Sequence, residues 1–224
     1  MDNINLTLEP GRNLYFTSDL HFGHRNVIKF CERPFEDVKE MNKELIDRWN
    51  ARVKPNDYIF VLGDTFWFNS RHDTLKIVSQ LNGQMYFLLG NHDKASQFEL
   101  CIEKLDNFHL LSDIVQLSVD CGASDFLLSH FEGLDSSTKW LGFCLCHYPL
   151  ACYSGSGYRY QLFGHIHSRK DMPMMEFGRP ILINNTRCMD VGVDRHDWAP
   201  VSVTEVLHEI ETYPYWGYHC VKSI

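Results

Sequence analysis

Asp19, His21, Asp64, Asn91, His147, His165 and His167 are residues whose types suit metal chemistry, and each closes an apolar run. Leu14-Tyr15-Phe16 leads into Asp19-Leu20-His21, and Tyr58–Leu62 into Gly63-Asp64. Met85–Leu89 leads into Gly90-Asn91-His92-Asp93, Phe143–Cys146 into His147, and Tyr160–Phe163 into Gly164-His165-Ile166-His167. A carboxylate or imidazole at the end of a buried strand costs free energy unless something pairs with it. A divalent ion pairs with both. Seven oxygen and nitrogen donors are too many for one tetrahedral ion. Two ions sharing a bridging carboxylate would use them all. The mix of carboxylate, amide and imidazole, without thiolate, suits Mn, Fe, Zn or Ni better than Ca or Mg. Gly63, Gly90 and Gly164 each precede a ligand, which predicts sharp turns and close approach of backbone to a metal or a bound anion.

The elements that must position these residues are partly legible. Leu14 to Ser18 reads as a strand. Val38, Met41, Leu45, Trp49 and Val53 recur at helical spacing, predicting a helix over 38–53 with Asp37 as its N-cap. The run 58–62 does not alternate, so both faces of that strand are expected to be covered. Helices are predicted over 74–81, stopping at Asn82-Gly83, and over 95–105. Strand-like runs at 113–119, 126–129, 181–184, 189–193 and 201–207 make the second half β-rich. With no repeat or linker-like break, the order fits one domain over 1–224, two stacked sheets with helices outside. The carboxyl ends of strands form the ligand edge of open α/β sheets. Distant motifs can therefore converge there.

Composition bounds the function. A chain of 224 residues has room for a full core. The formal charge of -8 argues against an extended nucleic-acid face, where a basic surplus is expected. No apolar run approaches a membrane span. Met1-Asp2-Asn3-Ile4-Asn5 lacks the basic and apolar regions of a secretory signal. The eight cysteines form no Cys-x-x-Cys pair and read as reduced core thiols, so a cytoplasmic location is expected.

The five motifs, in this order and across most of the chain, resemble the calcineurin-like metallophosphoesterase superfamily. A group of small bacterial and phage phosphoesterases is similar also in Asp19-Leu20-His21-Phe22-Gly23-His24, Arg33-Pro34-Phe35, Cys146-His147-Tyr148-Pro149 and Gly192-Val193-Asp194 with Pro200. The resemblance implies an α/β fold, a four-layer αββα sandwich of two mixed β-sheets flanked by helices, with a dinuclear centre. By the same resemblance Asp19, His21 and His167 hold a first ion, Asn91, His147 and His165 a second, and Asp64 bridges them. His92 matches the residue that acts on the leaving group, with Asp93 setting its tautomer or charge. Two divalent ions clamp the oxygens of an in-line displacement and make hydroxide available near neutral pH. The implied activity is phosphate-ester hydrolysis, on phosphodiesters of nucleotide type.

Around this set other readings stay open. His24 is a candidate phosphate contact or a solvated loop residue. Arg25 and Arg33 either contact phosphate oxygens or are surface charges. Trp67 or Phe68 either lines the mouth and stacks on a base or packs in the core. After Gly63-Asp64 the chain reads Thr65-Phe66-Trp67-Phe68-Asn69, without the second acidic residue and Arg-Gly of many superfamily members, which counts against a protein-phosphatase substrate. His72, His109, His130, His196, His208 and His219 read as structural and Asp57 as a turn residue, while Asp93 is either a turn or cap residue or a support for His92. The alternatives are a phosphomonoesterase, a nuclease on short nucleic acids, or a scaffold that has lost catalysis. The sequence leaves the oligomeric state open.

Overall fold

The computed structural model describes residues 1–68, 70–120, 140–150, 160–169 and 187–212. The runs at 126–129 and 181–184, Asn69, His130, His219 and the aromatic tail from Tyr213 to Tyr218 lie outside the described residues.

Among the described residues ten strands build two five-stranded sheets. In chain order the strands are β1 (Asp2–Thr7), β2 (Leu14–Thr17), β3 (Tyr58–Leu62), β4 (Gln84–Leu88), β5 (Phe108–Leu110), β6 (Ile114–Asp120), β7 (Trp140–Cys146), β8 (Tyr160–Phe163), β9 (Arg187–Asp190) and β10 (Val201–Ser202). One sheet has the order β1-β6-β7-β8-β9 and the other β10-β2-β3-β4-β5. Both are mixed. The neighbours from β2 to β5 are all parallel, β10 runs against β2, and β6 runs against β7 while β7, β8 and β9 are parallel. The helices are α1 (Val27–Phe30), α2 (Val38–Arg52), α3 (Arg71–Val78), α4 (Glu99–Lys104) and α5 (Val203–Thr212).

Alternate side chains of the second sheet enter different cores. Leu14, Phe16, Phe60, Leu62 and Leu88 meet Leu117, Phe143, Leu145 and Leu162 between the sheets. Tyr15, Ile59, Val61, Met85 and Phe87 pack with Met41, Leu45 and Trp49 of α2 and with Phe98 and Cys101. With both faces covered, β3 has no polar side to show, and its sequence is a continuous apolar run.

Asp37 caps α2 as expected, its carboxylate accepting from the Lys39 and Glu40 amides. Helix α3 starts earlier than 74 because the Ser70 hydroxyl caps it, accepting from the Asp73 amide. The 95–105 helix opens as a 3-10 turn, Ala95–Phe98. The run 201–207 is corrected: only Val201–Ser202 is strand, and α5 begins at Val203. Ser202 and Glu205 form a reciprocal cap, the Ser202 amide and hydroxyl donating to the Glu205 carboxylate and the Glu205 amide to the Ser202 hydroxyl. Val203, Val206 and Leu207 then face the core between the sheets at helical spacing.

Candidate metal centre

All five motif loops leave the carboxyl ends of their strands, three from one sheet and two from the other. Hydrogen bonds tie the loops together within each sheet and, from His165 to Asp19, between them. The Asp19 amide donates to the Gly63 carbonyl at 3.1 Å, the His21 amide to Asp64 at 3.0 Å, and the Gly164 amide to His147 at 3.0 Å. The His165 amide donates to the Asp19 carboxylate at 3.0 Å.

Two candidate ligand sets result. Asp19, His21 and His167 form one, and Asp64, His147 and His165 the other, with ligand atoms within 4.8 Å of one another in each. Asn91 joins the second, its Oδ1 lying 3.0 Å from His147 Nε2. Asp64 lies between the sets: its Oδ2 is 3.4 Å from His147 Nε2 and 3.8 Å from His21 Nε2. Asp19, His21, Asp64 and His147 are buried, while Asn91 and His165 face the opening.

The backbone is bent to make this possible. Asp19, His21, Asp64, His165 and His167 all have left-handed φ, between 47° and 72°. Such conformations cost of order 1–3 kcal/mol each and persist where surroundings enforce them. The preceding glycines have a more specific role than predicted. A Cβ on Gly90 would run into the carboxylate and amide of Asp64, and one on Gly164 into Ser18 and the Asp19 carboxylate. The close approach is between ligand loops themselves.

The donor set fits divalent ions. Both ring nitrogens of His21 are buried without a hydrogen-bond partner. Burial pushes the Asp19 carboxyl up to about 7, even with His167 nearby, and holds the His21 imidazole down at about 2, the charge on His167 adding to this. For Asp64 burial is outweighed by the hydrogen bond and charge of His147 and by the His92 amide, which hold it at about 2. An ionised Asp64 and a neutral His21 are the forms that bind metal. The His147 Nδ1–H donates to the Leu62 carbonyl at 2.8 Å, so Nε2, on the side of Asp64 and Asn91, is the ring nitrogen placed to meet an ion.

Behind His167 stands an arrangement that sequence reading missed. Its Nδ1 lies 2.7 Å from Asp194 Oδ2 and 3.4 Å from Cys31 Sγ. Burial works against a proton on His167, but Asp194, Cys31 and Asp19 raise it to about 11. Cys31, His167 and Asp194 are close enough to suggest a third metal set. Arg33 already supplies the cation there: its guanidinium grips both oxygens of Asp194, at 2.8 and 3.0 Å.

Several predicted contacts are therefore corrected. Arg33 is neither a surface charge nor free for phosphate. Its remaining donors go to the Leu20 and Asp19 carbonyls and Met41 Sδ. His24 is buried beneath Trp67, the rings parallel to within 3° at 3.6 Å, and burial lowers its pKa, so it buttresses Trp67 as a neutral ring. Asp93 does not face the His92 ring, whose nearest carboxylate is Asp64 at 3.9 Å. The Asp93 carboxylate accepts from the amides of Thr65, Phe66 and Gly90 and from Gln97, clasping two ligand loops together. Arg25 is exposed. Of the two aromatic candidates, Phe68 packs against Phe66 and Trp67 is half-exposed at the opening. Asp190 was also missed: it accepts from the amide and hydroxyl of Ser168 and the Gly192 amide, fixing the loop that carries His165 and His167. Its signal was available, since Cys188-Met189-Asp190 is another apolar run ending in a carboxylate.

Known proteins resemble this chain. The chain is 45% identical over 87 residues to the uncharacterized protein MJ1445 of Methanocaldococcus jannaschii, covering 38% of this chain and 49% of that one, so it spans about half that relative's length. It is 29% identical to the Gene 66 protein of Mycobacterium phage L5, over 57% of this chain and 70% of the phage protein. Against the Gene 66 protein of phage D29 it is 27% identical, over 89% and 98%. A crystal structure of a protein of unknown function from Aquifex aeolicus shares the fold, with a TM-score of 0.58 and 22% identity over 88% of this chain and 98% of that one. Among the described residues no helix is long and apolar enough to cross a membrane. A sequence model of the calcineurin-like phosphoesterases matches residues 12–169, and the chain belongs to that family.

Proposed function

We propose that this protein, as one domain over 1–224, hydrolyses phosphodiesters of nucleotide type using two divalent ions of the Mn, Fe, Zn or Ni class. The observation that carries the reading is the meeting of two ligand sets at Asp64, with His92 at their opening. Asp19, His21 and His167 would hold one ion, Asn91, His147 and His165 the other, and Asp64 both. Such ions supply charge neutralisation for the phosphoryl oxygens and a lowered pKa for water. The His92 side chain is 40% exposed, and its ring lies 5.6 Å from that of His21, beside both the ligands and solvent. It can donate a proton to the departing oxygen. Among the described residues Cys31, Cys101, Cys144 and Cys146 form no disulfide, which supports a cytoplasmic setting.

Manganese-loaded protein is expected to cleave a bis-nitrophenyl phosphate diester faster than the nitrophenyl monoester. Turnover of neither would remove the hydrolase reading, and the reverse preference would make the protein a phosphomonoesterase. His92→Ala should retain its metal and slow turnover about 10²–10⁴-fold, most for poor leaving groups. Loss of metal from that variant would contradict the proton-donor role. Chelation should lower the melting temperature by about 5–10 °C, because ligands bound to the native state stabilise it and clustered carboxylates repel without them. An unchanged melting curve in EDTA would speak against tightly held ions.

A further inference from the structure

Large apolar side chains exposed to solvent include Phe30, Trp67 and Tyr148, and the last two adjoin the candidate metal centre. Trp67 is 45% exposed, and its geometry is that of a supported platform. One face rests on His24, which also meets the edge of Phe30 at 6.4 Å. The Trp67 ring lies 4.8 Å from His92 and 6.4 Å from His21, beside the first ligand set. Tyr148 is 43% exposed and stands beside the second set. Its ring meets His147 edge-on at 5.0 Å and His165 at 4.8 Å. Each ligand set thus carries one half-exposed aromatic ring.

We propose that the site takes a phosphodiester bearing a nucleobase on each ester arm, a dinucleotide or the end of a short oligonucleotide. The base on the leaving arm lies against Trp67, because His92, the donor to the leaving oxygen, adjoins that ring. The base on the retained arm lies against Tyr148. Every nucleobase has a flat apolar face, so stacking of this kind binds without demanding a particular sequence. The net charge of -8 fits a short substrate, since a long polyanion needs a basic track beyond the centre. This inference rests on the phosphodiesterase reading and adds the two rings and the two bases to it.

Calorimetric titration with a dinucleoside phosphorothioate, a mononucleotide and inorganic phosphate tests it on metal-loaded wild type, Trp67→Leu, Trp67→Phe, Tyr148→Leu and Tyr148→Phe. The dinucleoside ligand should bind about tenfold tighter than the mononucleotide, and each leucine variant should lose about tenfold for it. The phenylalanine variants should restore most of that loss, and inorganic phosphate should bind all five proteins alike. Leucine variants that bind the dinucleoside ligand like wild type would overturn the proposal. A parallel loss of inorganic phosphate would overturn it too, by showing damage to the centre in place of lost stacking. Failure of the hydrolase reading looks different: the manganese-loaded wild type would turn over no ester, whatever it binds.

Discussion

Asp64→Asn is expected to abolish turnover and to leave the purified protein with less metal than wild type. Asp64 is the carboxylate where the two ligand sets meet, close to His21 on one side and His147 on the other. Its Oδ1 also accepts the His92 amide at 2.9 Å, so the same group sets the position of the proposed proton donor. Asparagine keeps the shape and one accepting oxygen but removes the charge. The loss then falls on charge stabilisation by metal, worth several kcal/mol, or at least about a thousandfold in rate. Metal content by emission spectroscopy and initial rates in excess manganese measure the two effects separately. A variant with full metal and more than about a tenth of wild-type turnover would show that Asp64 does not join the sites.

What the sequence made legible was whatever a local pattern records. Apolar runs ending in Asp or His gave both the strands and the candidate ligands, because a parallel strand buried on both faces has to place its polar chemistry at its end. The cap at Asp37 follows from residue type alone. The element over 203–212 was misread because valines favour strands by propensity, although Ser202-Val203-Thr204-Glu205 carries a capping-box pattern. β1 and β5 escaped because short strands with few apolar residues look like loops until a partner strand is in place. Arg33, Asp93 and His24 were left open for another reason. Each has the chemistry of a phosphate or catalytic contact, and only the fold shows that its polar groups or ring faces are already committed. Arg33 and Asp194 both lay in stretches shared with the similar small phosphoesterases. Nothing local connects them across 161 positions.

That connection leads to the second large effect. Arg33 is placed to hold three ligands at once. It fixes the Asp19 and Leu20 carbonyls directly, on either side of the turn to His21, and fixes His167 through Asp194. The Arg33 and Asp194 side chains are 0% and 2% exposed, so neither charge can fall back on water. Removing one partner of such a pair costs about 3–5 kcal/mol. Arg33→Met is therefore expected to lower the melting temperature by about 6–20 °C. Lysine should not rescue it, because an ammonium cannot reproduce the planar fork on Asp194 and still reach both carbonyls. Asp194→Asn tests the pair from its other side, since it keeps the volume but removes the charge that faces both Arg33 and His167. A metal titration of the chelated protein should then show the first ion bound about 10–100-fold more weakly and the second little changed. Cys31→Ala removes the weaker neighbour, at 3.4 Å against 2.7 Å for Asp194, and should shift the first ion far less. If a folded Asp194→Asn protein binds both ions as wild type does, His167 is held by its own loop and the Arg33–Asp194 pair serves only to join the two sheets.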